Sequence, residues 1–136
     1  MKSLRFLLLA TSALVVASVA QDKHLQHPDS GSDEGFGQVH MDISCPLAVA
    51  AEFDRALALL HNFWYARALA RFNQILKNDP GCGMAYWGAA ITYNHPFWDP
   101  PSQADETAAW TLVQQGLSAP ESSAREKLYL AAVGAL

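Results

Sequence analysis

Phe53, Leu57, Leu60 and Trp64 recur at steps of four, three and four, which places them on one face of a helix. Ala50, Ala56 and Phe63 widen that face, while Glu52, Asp54 and Arg55 fall elsewhere and can meet water. The helix starts near Ser44-Cys45-Pro46, where Ser44 or Cys45 can cap it and proline is welcome in the first turn. A second helix is expected from about Tyr65 to Lys77, with Ala68, Leu69, Phe72, Ile75 and Leu76 inward and Arg67, Arg71, Gln74 and Lys77 outward. Asn78-Asp79-Pro80-Gly81 stops it, because proline cannot continue the hydrogen-bond ladder.

A third helix is expected from about Gly83 to Asn94. It carries no charge, so it is expected to be buried on more than one side, with Gly88, Ala89 and Ala90 letting neighbours approach closely. His95-Pro96 ends it, and Phe97-Trp98-Asp99-Pro100-Pro101 forms a stiff loop. Ser102 and Asp105 announce a fourth helix to about Gln115, with Ala108, Ala109, Leu112 and Val113 inward and Gly116 as its C-terminal cap. Ser123 and Glu126 form a capping box for a fifth, which leaves Leu128, Tyr129, Ala132 and Val133 without a partner.

An internal period underlies these helices. Ala68-x₃-Phe72 followed by Pro80 fits the second half of a 34-residue helix-turn-helix repeat, and Tyr86-x₂-Ala89-Ala90-x₂-Tyr93 fits the first half of the next. Shifting back by 34 sets Ala56 under Ala90 and Leu59 under Tyr93. The register also demands a turn near His61–Tyr65, although no Gly or Pro marks one. Pro120 follows Pro80 by 40 residues, so the second repeat holds about six extra, placed in the Phe97–Pro101 loop.

The N-terminus has a different character. Lys2 and Arg5 precede an apolar run from Phe6 to Ala20, and Ser18-Val19-Ala20 makes a small-x-small cleavage site. This is the layout of a secretory signal peptide over residues 1–20; the run is too short and too rich in hydroxyls for a spanning anchor. The chain is therefore expected to be secreted or periplasmic, with no membrane contact after signal removal. Residues 21–43 are polar and Gly-containing and read as a flexible arm, so the helical domain is expected over residues 44–136. His24, His27 and His40 match no firm ligand spacing.

Without the signal, seven basic residues face thirteen acidic ones, a net charge of −6. That balance argues against nucleic acid, whose phosphates need clustered Lys and Arg. Two cysteines remain, Cys45 and Cys82. In an exported chain the first reading is a disulfide, contributing ~3–4 kcal/mol, and the other is two free buried thiols.

The chain resembles the tetratricopeptide repeat (TPR) superfamily. It is similar to exported TPR proteins with the patterns LH-x-F-x-Y-x-x-A, DP-x-C-x-MAYWG and HP-x-W. These stand here as Leu60-His61-Asn62-Phe63-Trp64-Tyr65 with Ala68, as Asp79 to Gly88, and as His95-Pro96-Phe97-Trp98, with Gly83 replacing a usual alanine. The resemblance runs from about Cys45 to Leu136. It implies an all-α fold of stacked helical hairpins, about two repeats and the start of a third, and a truncated C-terminus. It also implies a concave groove for a protein or peptide, with no cofactor and no catalytic residue carried over. Both cysteines precede the first helix of a repeat, and stacking brings those starts together.

A rival reading takes His61, Cys82, Met84 and His95 as soft and imidazole metal ligands, or His61, Cys82 and His95 as an enzymatic group. No pair has a familiar ligand spacing, and His61 and His95 are 34 apart, one repeat position seen twice. There is no phosphate loop, nucleophile elbow or HExxH. Most aromatics at helical spacing belong to the core, which leaves Phe97 and Trp98 as the expected partner contacts.

Overall fold

The computed structural model describes residues 35–94 and 99–136, and these form five helices and no strand. They are α1 (Leu47–His61), α2 (Tyr65–Asn78), α3 (Gly83–Ile91), α4 (Gln103–Ser118) and α5 (Ala124–Val133). The expected signal peptide at residues 1–20, the arm up to residue 34 and the loop from His95 to Trp98 lie outside the described residues.

The turn between α1 and α2 is made by a residue that offers no warning in the sequence. Phe63 takes φ +63°, a left-handed backbone that glycine usually supplies. The Phe63 N–H reaches the Leu60 carbonyl at 3.0 Å, and the Trp64 N–H reaches the Leu59 carbonyl at 3.0 Å. These two bonds satisfy carbonyls the helix end would otherwise orphan. The Asn62 side chain adds a bond to the Ala58 carbonyl at 2.8 Å. Phe63 is consequently thrown out of the core and is 52% exposed, against its expected place on the inner face.

The start of α1 also differs from expectation. Pro46 is the cap residue, and no side chain caps the helix. Cys45 is bonded to Cys82 and is not free to do so. The other two expected starts are complete capping boxes, Ser102 with Asp105 and Ser123 with Glu126.

The helices pack in a simple order. Each touches its sequence neighbour, and α3 also touches α1 and α5. Among the described residues α2 and α4 do not touch. The result is a row of α1, α3 and α5, with α2 and α4 packed on it. Helix α3 lies at the centre, against all four others, and Met84, Ala85, Ala89 and Ala90 are fully buried. That is why it carries no charge.

Phe53 and Phe72 meet edge to face, with ring centroids 5.6 Å apart, at the centre of the core. Ala56, Leu57, Leu59, Ala68, Ile75 and Met84 close around them. Arg71, expected to face outward, instead reaches across to Glu52 of α1 at 2.6 Å. Burial of Glu52 opposes its charge, but the guanidinium bonds from Arg71 and Arg55 prevail and hold the carboxyl below its ordinary value.

Gly116 is not a cap. Helix α4 runs past it to Ser118, and Gly116 is buried where α4 meets α3 and α5. A Cβ there would lie 2.6 Å from a Leu130 methyl and 2.9 Å from the Tyr86 Cβ. Close approach of α4 to α3 and α5, not helix termination, explains the residue. Helix α3 is shorter than expected and ends at Ile91. On α4 only Val113 and Gly116 are buried, while Ala108, Ala109 and Leu112 are half-buried. On α5 the inward residues are Glu126 and Leu130, and Leu128 and Tyr129 face out at 72% and 41% exposure.

Candidate functional site

Residues 35–44 have no regular secondary structure, yet they do not wander. Val39, Met41 and Ile43 alternate with His40, Asp42 and Ser44. This is the period of an extended chain, and the three apolar side chains pack on the core while the intervening residues are exposed. The segment forms a strap along α1 that ends against α5. It occupies part of the stretch expected to be a flexible arm, so the packed residues begin upstream of residue 44.

Four side chains of the helical body grip the strap by its backbone. The Asn62 amide donates to the Phe36 carbonyl at 2.9 Å. The Asp54 carboxylate accepts from the Met41 N–H at 3.2 Å. The Arg125 guanidinium donates to the Asp42 carbonyl. The Glu126 carboxylate accepts from the Ser44 N–H at 2.6 Å. Two donors and two acceptors thus replace the partners that an extended strand finds in a sheet.

Side chains fix the register. Phe36 packs edge to face on Trp64 at 5.4 Å, and the Arg67 guanidinium lies 5.5 Å from the Phe36 ring centroid. The His40 ring bridges Asp54 at 2.8 Å and Asp42 at 3.2 Å. Hydrogen bonds from the ring to the carboxylates of Asp54 and then Asp42 raise the His40 pKa above its ordinary value. A pocket of about 420 Å³ remains between strap and helix, lined by Phe36, Val39, His40, Ala51, Asp54 and Ala58 among others.

The strap leads into a junction where the starts of α1, α3 and α5 converge. Cys45 and Cys82 form a disulfide with a Cα–Cα distance of 5.0 Å. Glu126 is only 1% exposed and accepts from the Ser123 N–H and hydroxyl at 2.8 Å each, besides Ser44. Burial opposes its charge, but the bonds from Ser123 and Ser44 prevail and hold the carboxyl below its ordinary value of 4.5. A lowered carboxyl pKa contributes stability above the unfolded value that is lost as pH falls through the folded one. The unfolding midpoint is therefore expected to fall as the pH drops below about 4.5. Glu126→Gln should cost roughly 1–3 kcal/mol at pH 7 and flatten part of that acid loss, read by thermal melts across pH 3–7. A variant with an unchanged acid profile would show that Glu126 is not the titrating link.

Elsewhere in the helical row, Trp87 of α3 meets Tyr129 of α5 edge to face at 6.0 Å. The Arg125 guanidinium lies 6.0 Å from the Tyr129 ring. Arg125 therefore meets both the strap and Tyr129.

The sequence-derived candidates are scattered. His61 is exposed at the end of α1. Cys82 is in the disulfide, and Met84 has no exposure in the core beside it. His95, Phe97 and Trp98 lie outside the described residues. Among the described residues no group of three His, Cys, Asp or Glu side chains could hold a metal ion. No helix there is long and apolar enough to cross a membrane.

Sequence reasoning missed Asp54, Asn62, Arg125 and Glu126 as strap contacts, since a polar residue on a helix or in its turn signals only solvent or a cap. The alternation at Val39, Met41 and Ile43 was the available signal. Comparison of the chain with protein-family models, curated proteins and solved structures gave no match.

Proposed function

We propose that this chain is a noncatalytic, TPR-like module of an exported protein, and that it binds a protein or peptide through the face of its helical row. One observation carries the reading: α1, α3 and α5 stand side by side, with α2 and α4 on them and apart from each other. Stacked hairpins of this order present one continuous face made by the first helix of every pair. Trp87 and Tyr129 lie on neighbouring helices of that row, and aromatic rings are frequent anchors of protein interfaces. The disulfide accords with an extracytoplasmic location, where thiols are oxidised.

Of the residues of the metal or enzymatic alternative, His61 is exposed at the end of α1 and His95 lies outside the described residues. A disulfide-bonded Cys82 has no thiolate to offer a metal or a substrate.

Panning a random peptide library against the oxidised chain tests the reading. Enriched peptides should bind one to one with micromolar affinity and lose at least about tenfold on Tyr129→Ala, or 1.4 kcal/mol. A library with no enriched binder, together with stoichiometric metal in the purified protein, would overturn it in favour of the metal site.

A further inference from the structure

We infer that the face of α1 together with the start of α5 is a backbone-gripping site for an extended peptide, filled here by the chain's own residues 35–44. The inference rests on the peptide-binding reading above and names the class of ligand. Four body side chains, Asn62, Asp54, Arg125 and Glu126, bond to strap backbone atoms. A grip on backbone N–H and C=O groups holds an extended chain of many sequences, as strand addition to a sheet edge does. Side chains then choose among them.

The strap itself shows which chains fit. An aromatic sits against Trp64 and Arg67. Apolar residues follow three, five and seven places on, at Val39, Met41 and Ile43, and pack on the core. An imidazole between the first two of these apolar anchors faces the Asp54 carboxylate. The partner is thus an extended segment of the form aromatic, x, x, apolar, basic or imidazole, apolar, x, apolar. The unfilled 420 Å³ beside the strap leaves room for side chains larger than those of Gly37 and Gln38.

The strap competes as an intramolecular ligand. It runs directly into Cys45, which the disulfide fixes to the start of α3. A short tether gives the strap an effective concentration of the order of millimolar, so an external peptide sees few open sites. Weakening the strap without touching the grip must therefore tighten binding of a peptide added from outside.

The test uses the oxidised full chain and a fluorescent peptide carrying the sequence Gly35 to Ser44. Phe36→Ala and, independently, Val39→Ser loosen the strap at two separate contacts. Each should bind the peptide at least about tenfold more tightly than the unaltered chain. Adding Asp54→Ala to either should abolish the gain, and a scrambled peptide should show none. Circular dichroism confirms that each variant keeps its helices. Using two variants guards against a folding defect in one. The inference is overturned if folded Phe36→Ala and Val39→Ser both bind no better than the unaltered chain. It is equally overturned if the gain survives Asp54→Ala or extends to the scrambled peptide. Library-selected peptides that still bind and still depend on Tyr129 would, in that event, leave the peptide-binding reading standing and remove only the strap site.

Discussion

Replacing Cys45 and Cys82 together by serine is expected to lower the unfolding midpoint by roughly 15–30 °C. The two residues are 37 apart in sequence. Closing a loop of that size removes chain entropy worth about 4 kcal/mol from the unfolded state. In a domain of this size each kcal/mol moves the midpoint by about 4–8 °C. The effect is large because, among the described residues, five helices rest on one core cluster. The disulfide also pins the start of α1 to the start of α3, and so anchors the strap that leads into α1. Cys82 is fully buried and Cys45 nearly so. Reductant should therefore act slowly on the native protein and rapidly once heat opens it. Thermal melts of the serine pair and of the reduced chain check both statements. A shift below about 5 °C would show that packing alone fixes the junction.

Phe72→Ala should cost about 3–5 kcal/mol, the other large loss in this fold. Its ring is fully buried, meets Phe53 edge to face, and covers a helix position where a side chain is missing. A Cβ built on Gly88 would lie 2.3 Å from two carbons of that ring. Gly88→Ala therefore sets two effects against each other. Alanine gains about 1 kcal/mol of helix propensity over glycine. Forcing the Phe72 ring aside costs about 1–3 kcal/mol in a packed core. The ring is hemmed in by Phe53, so the second effect should win and Gly88→Ala should destabilise. Phe72→Leu, which trims the ring, should then be less harmful in the Gly88→Ala background than alone. Chemical denaturation of the four proteins gives the coupling, expected to exceed about 0.5 kcal/mol in favour of the pair. Strict additivity would mean that α2 and α3 shift apart instead of sharing one contact.

The helices were legible because their signals are local. The two capping boxes, the Asp79-Pro80-Gly81 stop and the uncharged run after Cys82 each act within a few residues. The turn between α1 and α2 was legible only through the 34-residue period. No residue type marks it, because Phe63 adopts the left-handed conformation normally given to glycine. Gly116 shows the opposite failure. Its type suggested a cap, but its cause lies in Leu130 and Tyr86, which are distant in sequence.

The candidate surface was legible only in fragments. Pairing Cys45 with Cys82 follows from there being two cysteines in a chain expected to be exported, and the structure joins them. Nothing near Asp54, Asn62, Arg125 or Glu126 marks them as a set. They come from α1, its C-terminal turn and α5, and they share only the strap they hold.

By itself the sequence determined the all-α class, the five helices and the uncharged helix that had to be buried on more than one side. Helix caps, stops and apolar periodicity are short-range, so they survive in one dimension. Tertiary structure alone decided that residues 35–44 lie along α1, that Glu126 is a buried link, and that Gly116 serves packing. Those outcomes depend on which groups meet once α1, α3 and α5 stand side by side, and hydrogen bonds spanning 82 residues leave no local pattern.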